Sequence, residues 1–216
     1  MLEEFKKIGR CLFQEGLVGS HGGNLSIRRG DRIFITRRDA MLGELKEGDI
    51  VEVGIEPGSN EEAAAEEIPS HRAIYRETKA EAIIHAHPPN AIAVSITDNK
   101  IIPQDSEGMR SFRSAAIVRA HQAVGSDEVA RLITSFMQPP NVIAVVKAHG
   151  SFSTGKNLEE AYRYTSALED SCRVLVAIRA SGGQRPPAPR EKPREMRRSA
   201  IPPGIGVMDR SRYNKR

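Results

Sequence analysis

The sequence predicts one α/β domain, and three features predict it. Residues 2 to 15 place apolar and charged side chains at helical spacing. Two continuous apolar runs, 81 to 87 and 141 to 150, read as buried strands that each finish at a histidine. A capped amphipathic segment beginning at Asn157 reads as a long helix reaching about Ala180. At 216 residues the chain is long enough for one well-buried core. A domain over 1 to 180 is therefore expected, followed by a proline-rich basic tail over 181 to 216.

The elements follow in order. Leu2, Phe5, Ile8, Leu12 and Phe13 form the apolar stripe of the first helix, opposite Glu3, Glu4, Lys6, Lys7 and Arg10. In GLVGSHGGNLSIR the glycines at 19, 22 and 23 allow close backbone approach and positive φ, ahead of short strands at 25–28 and 32–36. DIVEVGI (49–55) is another strand; EPGSNEEAAAEE (56–67) starts as a turn and becomes helix-prone. A helix from Ser70 leads into EAIIHAH, which Pro88 and Pro89 end because proline has no donor for the ladder. NVIAVVKAHG (141–150) reads as a second strand with His149 at its end. Asn157 with Glu160 has the spacing of a capping box for the last helix, whose stripe includes Ala161, Tyr164, Leu168, Cys172 and Leu175.

Composition excludes several classes. No apolar run approaches the roughly 18 residues of a membrane span, and the start, MLEEFKKIGRCLF, is amphipathic where a secretory signal is basic and then continuously apolar. A cytoplasmic protein is expected. Cys11 and Cys172 are too few and too distant for a disulfide framework or a thiolate cage. Any metal must then be held by histidine and carboxylate. The net charge of +4 is uneven: Arg185 to Arg216 holds ten basic residues against three acidic ones, a net of +7, which leaves −3 on the remainder. A basic tail on a slightly acidic body, with Tyr213 as its only aromatic residue, argues for a solvated arm and against a nucleic-acid partner.

His85 and His87, two apart on a strand, project to one face and can aim both imidazoles at one ion. Alone the pair also suits hydrogen-bonded residues at a strand end. His149, at the end of the other strand, would make three imidazoles if the strands converge, leaving a coordination position open as catalytic zinc requires. Glu67, just before a helix start, is either a first-turn acid favoured by the helix dipole or a general base near a metal.

The order GLVGSHGGNLSIR, IT with LKEGDIV, EIPSHRAIY, IIHAHPPNAIAVS and VKAHGSFSTGKNLEEAY resembles the class II aldolase/adducin family, colinearly over about residues 1 to 180. The resemblance implies a three-layer α/β/α fold with a central, largely antiparallel mixed sheet. It also implies a zinc ion or another divalent metal and a homotetramer with active sites between subunits. Carried onto this sequence, the metal ligands fall on His85, His87 and His149 and the acid/base glutamate on Glu67, with His71 and Tyr75 following in register. Gly23 and Asn24 match the family's substrate-anion contacts.

This chain departs from the family in the rest of that clamp. The expected Thr-Pro-(Ser/Thr)-Gly loop reads Thr36-Arg37-Arg38-Asp39, and the small hydroxyl pair before the glutamate reads Ala65-Glu66. Glu66 repels a phosphate, whereas Arg37 or Arg38 can hold one or simply be solvated. Glu107 stands about where aldolases of the family have a tyrosine acid from a neighbouring subunit, and Tyr213 is the tail residue able to supply one. The implied activity is a metal-dependent aldolase making or breaking a C–C bond of a ketose or ketose phosphate, with the metal stabilising an enediolate. The same logic serves sugar-phosphate dehydratases and 4-epimerases, and adducin-like members are non-catalytic interaction proteins.

Overall fold

The structure, a computed structural model, describes residues 1–58 and 61–183, all within one compact unit, Met1–Arg185. Tyr213 and the tail from residue 184 lie outside the described residues. Eight strands form one mixed sheet in the order β3-β2-β1-β4-β8-β7-β6-β5. They are β1 (Asn24–Arg29), β2 (Arg32–Thr36), β3 (Ile50–Gly54), β4 (Ala82–Ala86), β5 (Lys100–Ile101), β6 (Ala115–Val118), β7 (Ile143–Val146) and β8 (Gly150–Gly155). β6 and β7 run parallel, and the other pairings of the described strands are antiparallel.

Alternation along the central strands divides the core into two layers. In β4, Ala82, Ile84 and Ala86 face a cluster with Phe5, Ile8 and Leu12 of α1 (Leu2–Gln14), while Ile83 faces Ile74 and Tyr75 of α2 (Ile68–Glu77). β7 divides likewise: Ile143 and Val145 pack with Leu168, Cys172 and Leu175 of α6 (Leu158–Ala180), and Ala144 and Val146 face the α2 side. Strands buried on both faces must be apolar throughout, as both runs are. The result is the expected α/β/α sandwich with a largely antiparallel centre. Three shorter helices, α3 (Pro89–Thr97), α4 (Ser106–Ser111) and α5 (Asp127–Ile133), complete the layers. No described helix is long and apolar enough to cross a membrane.

The cap of α6 forms as the sequence indicates, with the Asn157 side chain accepting from the Glu160 amide at 2.8 Å. Cys172 is buried and Cys11 half-buried, both as free thiols.

Two expectations need correction. The described residues of 56–67 form no helix despite the segment's Glu/Ala content: residues 61–67 run as turns that bury Ala64 and Ala65 against the sheet, with Ala64 bridged to Arg37. Tertiary burial overrides propensity there. The run 141–150 is not one strand: it turns at residues 147–149, and β8 begins at Gly150. Ala148 makes this turn at φ 58, a left-handed conformation that few non-glycine residues adopt and that its sequence does not announce. β7 therefore does not lie beside β4, because β8 is inserted between them.

Candidate active site

Three elements bring the candidate residues together. His85 is the fourth residue of β4 and projects to the α2 side, as Ile83 does. His87 follows just beyond the strand, its amide held by the Leu17 carbonyl at 2.8 Å. His149 sits in the tight β7–β8 turn, its amide donating to the Val146 carbonyl at 3.1 Å. The hairpin returns His149 to the end of β4: its ring stacks on His85 at 4.9 Å between centroids and lies 5.1 Å from His87. One ring nitrogen from each of the three falls within 4.8 Å of the others.

The geometry fits a divalent metal. The His85 Nδ1 atom lies 3.1 Å from the Ser151 carbonyl, which can only accept, so Nδ1 carries the proton and Nε2 presents its lone pair. That Nε2 lies 3.0 Å from Nε2 of His87, and the His149 Nε2 is buried without a hydrogen-bond partner. Converging ring nitrogens, one a fixed acceptor and another buried without a partner, are costly unless something electron-poor sits between them. Three imidazoles with no cysteine nearby also leave a position open for substrate.

Glu67 immediately precedes α2 and is 7% exposed. Its Oε1 atom faces the cluster, 3.6 Å from His149 Nε2 and 3.9 Å from His85 Nε2, while Oε2 accepts from the Asn24 amide at 2.8 Å. Burial pushes the Glu67 carboxyl up, but His149, His85 and His71 pull more strongly and hold its pKa at about 2. Burial lowers the His85 imidazole well below its ordinary value, with Glu67 opposing. Burial lowers His87 too, with His149 adding to the effect. At neutral pH the site therefore presents a carboxylate beside neutral His85 and His87, the protonation state that metal binding needs.

Around this centre is an open cleft of about 350 Å³ lined by Gly23, Arg37, Arg38, Glu66, Glu67 and His149, among others. Glu66 is exposed and pairs with Arg38 at 2.6 Å; Arg37 pairs with Asp49 at 3.1 Å. His21 stands exposed at the rim, beside the Ser20 hydroxyl. The structure thus brings together His85, His87, His149, Glu67, Gly23, Asn24, Arg37 and Arg38. Glu107 is not among them: it is exposed on α4, paired with Arg110, and lines a separate cleft of about 860 Å³.

A layer beneath the site escapes sequence reading. Ser26 Oγ lies 2.7 Å from both His71 Nδ1 and the Tyr75 hydroxyl, all three buried. The available signals were the polar positions 24 and 26 on one face of β1 and the spacing 67, 71, 75 from the N-cap of α2 onward. Neither says which element the other faces.

Residues 3–176 match the family described as class II aldolase and adducin N-terminal domain, and the chain belongs to that family. Among its relatives, an L-fuculose phosphate aldolase of Methanocaldococcus jannaschii is 30% identical over 175 residues, 81% of this chain and 94% of that protein. A methylthioribulose-1-phosphate dehydratase of Acidiphilium cryptum is 28% identical over 179 residues, 77% of this chain and 85% of its own length. The crystal structure of L-fuculose-1-phosphate aldolase from Thermus thermophilus superposes with a TM-score of 0.81 at 29% identity, covering 86% of this chain and 97% of that one.

Proposed function

We propose that the protein is a divalent-metal-dependent aldolase that forms or cleaves a carbon–carbon bond of a ketose or ketose phosphate. The observation that carries this reading is the ionised Glu67 carboxylate aimed at three imidazoles whose ring nitrogens converge. His85, His87 and His149 would hold the ion, zinc suiting imidazole ligands with an open position best. When bound, the ion supplies Lewis-acid polarisation of substrate oxygens.

In the condensation direction Glu67 Oε1 takes the proton from the carbon beside the ketone carbonyl, and that carbon attacks the aldehyde. The new alkoxide then needs a proton. Glu107 or Tyr213 of another copy would supply it, in a cytoplasmic homotetramer with sites between subunits. Cleavage is the reverse. The Gly23 backbone, Arg37 and Arg38 would take an anionic substrate end. Arg38 pairs with an exposed partner, and such pairs are worth about 0–1 kcal/mol, so a phosphate can draw it from Glu66 at small cost.

Dehydration is the second reading, favoured by the Acidiphilium cryptum relative. An adducin-like binding role without catalysis is disfavoured by the intact histidine set. A mass-spectrometric product survey of zinc-loaded protein with ketoses and ketose phosphates tests all three. An aldehyde with a three-carbon ketone supports the aldolase. Loss of water without cleavage selects the dehydratase, a changed C4 configuration by NMR at unchanged mass selects the 4-epimerase, and absence of all three changes across the panel selects the binding role.

A further inference from the structure

Asn24 matches a family position that contacts the substrate anion, yet here its side chain is 3% exposed and turned inward. Its Nδ2 atom donates to Glu67 Oε2 at 2.8 Å. We propose that Asn24 is a positioning residue, which clamps one Glu67 oxygen so that the other faces the imidazole cluster. This rests on the reading of Glu67 as the proton-transfer group.

The backbone beneath Asn24 is fixed from three sides. Asn24 stands opposite His85 in the β1–β4 register, so clamp and candidate ligand occupy one rung of the sheet. Gly23, at φ 79, lets the chain enter that rung: a Cβ there would lie 2.7 Å from Val18 Cγ1 and 2.8 Å from the His85 carbonyl oxygen. The next amide, of Leu25, is tied to the Thr36 hydroxyl at 3.2 Å. The Asn24 backbone therefore cannot follow Glu67 if the carboxylate turns. Glu67 must instead conform to Asn24.

The same strand face holds α2 one level further on. Ser26 lies two residues along β1 and binds His71 and Tyr75, one and two helical turns beyond Glu67. The His71 amide also donates to the Glu67 carbonyl at 3.1 Å, the first bond of the helix. β1 thus fixes both the start of α2, through Ser26, and the carboxylate that leaves that start, through Asn24. A glutamate side chain has three rotatable bonds, and without the amide Oε1 would sample other directions within the cleft. Aligned proton transfer demands a single one.

The test is a double-mutant cycle on zinc-loaded protein. It follows deuterium exchange from D2O into the carbon beside the carbonyl of dihydroxyacetone phosphate by NMR, with zinc content and Tm measured on each variant. Glu67→Gln should reduce exchange about a hundredfold, the ordinary scale of acid–base catalysis. Asn24→Ala should lower the exchange kcat about tenfold or more with KM and zinc content unchanged, and should add nothing in the Glu67→Gln background. If Asn24→Ala instead raises KM and its effect adds to that of Glu67→Gln, the residue holds the substrate anion and the proposal fails. If Asn24→Ala changes neither constant, it also fails. Unchanged exchange in Glu67→Gln alone would overturn the role of Glu67 itself, a distinct result. Should Asn24→Ala unfold, Asn24→Ser, which shortens the side chain without emptying the position, carries the same comparison.

Discussion

Gly150 opens β8 directly beside the imidazoles, and replacing it with alanine should damage the site without touching a single functional group. A Cβ at this position would lie 2.5 Å from the Ala86 carbonyl oxygen, 2.7 Å from His87 Cδ2 and 2.9 Å from His85 Cε1. The backbone is in strand geometry, so the cost is steric. The Ala86 oxygen cannot retreat easily, because Ala86 pairs with Ser151 in the β4–β8 ladder. The two ring carbons can move only by swinging both imidazoles away. Overpacking of this kind costs about 1–3 kcal/mol. At roughly 2–4 °C per kcal/mol for a domain of this size, the metal-free protein should melt about 2–12 °C lower. Zinc should then stabilise the variant less: a ligand at about a hundred times its Kd adds about 2.7 kcal/mol to the wild-type fold, and displaced ligands forfeit most of that. Differential scanning calorimetry of chelated and zinc-loaded protein reads both effects, and elemental analysis gives the stoichiometry. A variant with wild-type Tm and an undiminished zinc increment would refute the steric argument and the place of His85 and His87 at the metal together.

Two further outcomes are expected. The His85→Ala, His87→Ala double variant should bind no stoichiometric zinc by elemental analysis after gel filtration, whereas retained zinc would move the metal elsewhere. Burial holds the His71 imidazole down at about 4 from 6.5, with Glu67 opposing, so the unfolded chain takes up a proton that the fold refuses. The resulting stability is complete above about pH 6.5 and is lost as pH falls toward 4, by about 3 kcal/mol in all. Urea unfolding of chelated protein at pH 7 and pH 4.5 should show this loss, and His71→Gln should reduce it; an acid limb unchanged by that substitution would contradict the assignment.

What the sequence made legible was what neighbouring residues decide among themselves. The period of two in IIHAH sends His85 and His87 toward one place, Pro88 and Pro89 end the strand there, and Asn157 with Glu160 starts α6. The β7–β8 turn was illegible because its left-handed residue is Ala148, with neither glycine nor asparagine at the bend. The strand after it, GSFSTG, has small hydroxylated residues in place of an apolar alternation, although it is buried at the sheet's centre. Elements between 89 and 140 run from two to nine residues, too short for a helical or strand period to emerge.

The Glu66/Glu67 ambiguity shows where this limit falls. In sequence the two glutamates are adjacent and chemically equal, and a one-residue slip in register exchanges their roles. The structure separates them by burial and by partner. Glu67, the last residue before α2, turns inward to Asn24 and the histidines, and Glu66 turns outward to Arg38. Four contacts fix this choice, and each crosses a long stretch of chain: Asn24 to Glu67, Ser26 to His71, Ser26 to Tyr75 and Arg38 to Glu66 span 43, 45, 49 and 28 residues. Local propensity carries no information at such separations. The identity of the acidic residue in the site is therefore a product of how β1 docks against α2, which makes Asn24 and Ser26, the two polar residues in the buried half of β1, part of what the site requires.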